Sequence, residues 1–159
     1  MAQSYLNFKQ NLNESDQKLL EIGQLVDPYI KDFMFNEVGN TISTNFKDDQ
    51  HNDISVRFHK FKKESSGYEV EFTINNKSAE AFKTDTKHFF KIISTVTHAI
   101  NKFIEVYNPT QLFIEGMDKP SKEGQKNIIW LQYIKVNLDA TDYVIGNHKN
   151  GFMIQKNTK

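Results

Sequence analysis

"TDTKHFFKIISTVTHAINKFIEVYNP", residues 84–109, is the stretch that decides what kind of fold this chain can have. At about 100° per residue, Phe89, Ile92, Ile93, Val96, Ile100, Phe103 and Tyr107 fall within one stripe roughly 100° wide. That is the signature of a long amphipathic helix with one face on a core. Thr84 or Asp85 can cap its start. Asn108-Pro109 ends it, because the residue before a proline is driven out of the helical region.

The segments around this helix read mostly as strands. Upstream, "DISVRFHKF" (53–61) alternates with Ile54, Val56 and Phe58 on one side. "YEVEFTIN" (68–75) alternates with Tyr68, Val70, Phe72 and Ile74 on one side and Glu69, Glu71 and Thr73 on the other. "KKESSG" lies between them, with Gly67 available for a positive φ, so the pair is a β-hairpin with one buried face. Downstream, "QLFIEGM" (111–117) is a short, mostly apolar run and reads as an interior strand. "YVIGNHKNGFMIQK" (143–156) reads as two short strands around the hairpin dipeptide Asn150-Gly151.

Other segments are less sharply patterned. Residues 1–14 are polar and aperiodic and read as an N-terminal arm. Residues 15–159 read as a single domain, since no linker or repeat divides them. "SDQKLLEIGQLV" (15–26) suits a short capped helix that Pro28 ends. "YIKDFMFNEV" (29–38) is ambiguous and leans toward extended structure, and "GNTISTNFKDDQHND" (39–53) reads as a loop. "NIIWLQYIKVNL" (127–138) is apolar on nearly every residue. Its β-branched content suits a strand, but the preceding "DKPSKEGQK" favours a helix over 120–137. In that helix Ile128, Leu131 and Leu138 share one side and Trp130 and Tyr133 fall roughly opposite. A helix apolar on both sides is either central or an interface element. The fold class expected is therefore α+β: a mostly antiparallel sheet with two main helices packed on it.

Composition narrows the chemistry. Lys plus Arg is 20 and Asp plus Glu is 20, so no global field draws in nucleic acid or an anionic membrane. There is no cysteine, which removes disulfides, thiolate nucleophiles and cysteine-based zinc sites. The opening residues lack the basic and apolar regions of a secretory signal, and no run approaches the length of a membrane span. An intracellular location (a host cytoplasm) or a virion is expected, with no membrane partner.

Motifs are few. His51, His59, His88, His98 and His148 include no i, i+4 pair, and the seven glycines stand singly rather than in a phosphate-cradling loop. His98 lies opposite the apolar stripe of its helix and reads as solvent-exposed. Asp48-Asp49 and Glu69/Glu71 could serve as metal or acid–base carboxylates, but read first as groups that keep a face wet. No catalytic residue, metal ligand or cofactor is assigned. Arg57, Lys60, Lys62 and Lys63 interleave with Phe58 and Phe61 and form the one candidate nucleic-acid stripe, although strand alternation puts Arg57 and Lys63 on one face and Lys60 and Lys62 on the other.

A resemblance adds to this reading. The run from His88 to Leu138, with Ser94-Thr95-Val96, Pro109, Gly116, Lys122 to Lys126, Leu131 with Tyr133, and the later Phe152, resembles small uncharacterised proteins of bacteriophages and Bacteroides-group bacteria. Those proteins usually carry an arginine in the basic helix, and none occurs here. The helix–strand–helix–strand order also resembles the second half of the N-acetyltransferase superfamily, but "KTDTKHF" stands where those enzymes have their glycine-rich pyrophosphate loop. The resemblance implies an α+β fold and a phage link. The expected function is a non-enzymatic interaction or structural module that binds a protein partner or itself. Trp130 and Tyr133 are the expected anchors, with Phe35 and Met34 as further contacts. A degenerate acyl-CoA protein and a nucleic-acid-binding protein are the alternatives.

Overall fold

A computed structural model of the chain describes residues 27–62, 66–78, 86–115, 132–139, 141–148 and 151–157. The predicted hairpin is its centre. Strands β3 (Asp53–Lys60) and β4 (Gly67–Ile74) pair antiparallel, with Ile54 opposite Ile74, Val56 opposite Phe72 and Phe58 opposite Val70. All six are buried, and the glutamates between them face the other way, as period-2 alternation requires. Gly67 is extended at the start of β4, and the positive φ among the described glycines is at Gly39. Asn75 and Asn76, both with positive φ, close the tight turn from β4 into the short β5 (Lys77–Ser78).

The 84–109 stretch forms helix α1 (Thr86–Tyr107). Its predicted stripe faces the sheet, and Asn108 ends it in the left-handed conformation, its N–H donating to Ile104 O at 3.0 Å. The helix is the crossover that brings β6 (Gln111–Glu115) back parallel to β4, the one parallel pair among the described strands. Strand β8 (Gly151–Lys156) then pairs antiparallel with β6, and β7 (Tyr143–His148) with β8. "QLFIE" is thus interior, as its composition implies.

The segment read as a loop is a correction. Thr41–Lys47 is strand β2, paired along its whole length with β3, and Asn36–Val38 adds a short β1 at its edge. Ile42, Thr44 and Phe46 point into the core. A threonine at the middle inward position hid that alternation. The path across the sheet is β1-β2-β3-β4-β6-β8-β7, with β5 beside β4. The architecture is a mixed α+β fold on a mostly antiparallel sheet.

One helix is main. Of the second helix predicted over 120–137, residues 132–137 are helical (α2), and 120–131 lie outside the described residues. So do the predicted arm at 1–14 and the 15–26 helix. Helix α2 docks on α1: the Tyr133 ring lies 5.3 Å from Phe90, Asn101 Nδ2 donates to Asn137 O, and Asp139 N–H donates to Asn101 Oδ1. Residues 27–35 flank α1 elsewhere, with Tyr29 N–H donating to Thr95 Oγ1 and Phe35 meeting Phe103 and Tyr107 edge-on. Covered by these elements, α1 is buried at every position from Ile92 to Thr97. No helix among the described residues is long and apolar enough to cross a membrane.

Candidate functional site

The sharpest polar constellation lies where the β2–β3 connection meets the first turn of α1. Asp48 follows β2 directly, and its side chain is fully enclosed. Its Oδ1 accepts the backbone N–H groups of Gln50 (3.0 Å) and Asn52 (2.8 Å). Its Oδ2 accepts Asn52 Nδ2 at 2.8 Å and His88 Nε2 at 2.9 Å. This folds residues 48–52 around one carboxylate, with His51 carried at positive φ. Burial alone would raise the Asp48 pKa. Hydrogen bonds from the Asn52 side chain, the Asn52 backbone, His88 and Gln50 outweigh burial, so the carboxyl is held below its ordinary value.

The other side of the His88 ring faces Tyr29 and Asp49. Nδ1 lies 2.9 Å from Tyr29 Oη and 3.5 Å from Asp49 Oδ1, and Tyr29 Oη lies 3.3 Å from that same oxygen. Tyr29 is held by its backbone bond to Thr95, by Phe46 stacked at 6.5 Å, and by the Lys91 ammonium 4.6 Å over its ring. The cluster is graded from an enclosed Asp48 to an Asp49 that is 68% exposed. Asp48, Asp49 and His88 each offer a ligand atom within 4.8 Å of the others, so they could hold a metal ion.

The residues singled out from sequence are dispersed. Tyr133 is a correction: it is only 2% exposed, spent against Phe90 inside the fold and not offered to a partner. Phe35 is also directed inward, edge-on to Phe58, Phe103 and Tyr107. Met34 is 86% exposed, as an interface residue would be, and Trp130 lies outside the described residues. The basic stripe does not converge. Arg57 reaches Glu71 at 3.4 Å on the open face of the sheet, Lys60 sits over the Tyr68 ring on the helix side, and Lys62 is exposed. Lys63 lies outside the described residues. His98 is half-buried rather than exposed. Burial first, and then the charge of Lys31, push its pKa down, toward the neutral ring.

Protein-family models, curated proteins and solved structures yield no match to this chain.

Sequence reasoning named Asp48-Asp49 as a carboxylate pair but did not join it to His88. No local signal does so, since His88 stands 40 residues from Asp48 and 59 from Tyr29. A weak hint existed: Asp48 and Asp49 directly follow the alternation Ile42, Thr44, Phe46, so one aspartate is delivered to the inward side.

Proposed function

We propose that this chain is a non-enzymatic interaction module that associates with a second copy of itself through strand β7. One observation carries this reading. β7 is the last strand of the sheet, and no described strand pairs with its outer edge. Its six residues, "YVIGNH", include no lysine, acidic residue or proline, the devices that usually protect such an edge. Val144 is 60% exposed on the open face of the sheet, and Ile145 is exposed on the helix side. Val136 of α2 is also exposed close by, since its neighbour Lys135 donates to Asn147 of β7 at 3.2 Å.

The opposite edge supports the reading less well. β1 has only three residues, with Glu37 at its centre. Two copies of β7 run antiparallel about a twofold axis are self-complementary and would extend the sheet across both chains. The interaction role expected from "NIIWLQYIKVNL" is thus kept, but it moves from Tyr133 to the end of α2 and the strand beside it. No observation among the described residues favours an acyl-CoA or nucleic-acid function over it.

The test is molar mass by light scattering over a hundredfold dilution series. The wild type should approach twice 18.6 kDa at the concentrated end. Val144→Glu should stay at the monomer mass, because it puts a charge on the unpaired edge of each copy, and its melting temperature should match that of the dilute, monomeric wild type. A wild type that is monomeric at every concentration, or a dimer indifferent to Val144→Glu, overturns the proposal.

A further inference from the structure

Granted the self-association through β7 proposed above, the backbone of that strand says how two copies meet. Asn157 N–H donates to Asp142 O at 2.8 Å, which makes residues 142 and 157 a hydrogen-bonded pair in line with the β7–β8 ladder. Such pairs alternate along antiparallel strands, so Val144, Gly146 and His148 spend their backbone groups on Gln155, Met153 and Gly151. Lys156 N–H follows the same alternation and donates away from β7, to Thr110 O at 2.8 Å. Tyr143, Ile145 and Asn147 therefore turn both their N–H and C=O groups to the outer edge, where a second strand can match them.

Gly146 is the second observation. It stands inside a strand, where glycine is weak, yet its φ is not positive, and no atom of the described residues lies within 4 Å of where a Cβ would stand. Neither its conformation nor the packing of its own chain requires glycine. A strand glycine often marks the close approach of another backbone. Two β7 strands run antiparallel with Ile145 on the twofold axis set Tyr143 opposite Asn147 and Ile145 opposite itself, so every outward group finds a partner. On the open face, the exposed Val144 of each copy then lies opposite Gly146 of the other, where its side chain has room. An axis at Val144 or at Gly146 sets two valines or two glycines face to face and carries Asn147 or Tyr143 past the end of the other strand.

We propose that two copies join in this one register, Ile145 against Ile145 and Val144 over Gly146, and that Gly146 is the residue that fixes it. The chain has no cysteine, so introduced cysteines report the register without interference. Full-length Val144→Cys and Gly146→Cys proteins should be mildly oxidised, each alone and as an equal mixture, and disulfide-linked dimer read on a non-reducing gel. Directly opposed residues of a pair without mutual hydrogen bonds stand about 4.5 Å apart at Cα, within the span of a disulfide. The same residue in the two copies is offset by two places, about 7–8 Å, which is beyond it. Linked dimer is expected in the mixture and should be lost in either variant alone. Either variant linking to itself as fast as the mixture links overturns the register while leaving β7 as the interface. No link in any sample, at a concentration where the wild-type mass is that of a dimer, overturns the register and the β7 interface together.

Discussion

Phe103→Ala is expected to remove about 3–5 kcal/mol of stability. The Phe103 ring is fully buried and lies parallel to Phe58 at 3.8 Å. It stacks on Tyr107 at 4.9 Å and meets Tyr68 edge-on at 5.0 Å and Phe35 at 6.0 Å. One side chain therefore joins α1 to β3, to β4 and to the segment leading into β1. Such ring pairs contribute about 0.5–1.5 kcal/mol each beyond the area they bury. The rings around it are held by β3, β4, α1 and the segment before β1, so the cavity left by alanine can collapse only in part. Urea denaturation measures the loss. A cost under about 1 kcal/mol, ordinary for a surface position, would mean that this aromatic junction is not the centre of the core.

Asp48→Ala ranks second, at about 3 kcal/mol. It strands two backbone N–H groups, the Asn52 amide and His88 Nε2 in an enclosed space. It also predicts a pH dependence. The folded pKa of Asp48 is lowered from its ordinary 3.8, so its ionisation contributes stability that is fully present above the unfolded pKa and lost as pH falls through the folded value. Asp48→Asn keeps the size of the side chain but removes this titration. The gap between wild type and Asp48→Asn should be constant near neutral pH and should narrow only as pH falls below about 4. A gap that stays constant into strong acid would contradict the hydrogen-bonded carboxylate described here.

Much of the fold was legible because its strongest elements obey a single period. The stripe Phe89 to Tyr107 lies on the core, the alternations Ile54 to Phe58 and Tyr68 to Ile74 each bury one face, and all were read correctly. β2 was missed because Thr44 occupies a core-facing position and Asn45 the next, so the inward set Ile42, Thr44, Phe46 looks like a polar loop. Tyr133 was misplaced for a different reason. Reading α2 alone cannot show which side meets α1, and the side chosen by Phe90 and Asn101 takes both Tyr133 and Ile134 into the core. His98 was read from its own helix alone, which omits the burial and the Lys31 charge that the fold brings to it. The Asp48–His88–Tyr29 cluster depends on three elements far apart in the chain, so it exists only once the sheet and α1 are assembled.

The most direct test of the self-association account is amide hydrogen exchange of residues 143–148 at two protein concentrations. Pairing of β7 with a second β7 should slow exchange of its outward amides at high concentration, while amides of interior β6 stay equally protected at both. Identical exchange of β7 at low and high concentration, across a range in which the wild-type mass changes, would show that the copies meet somewhere else.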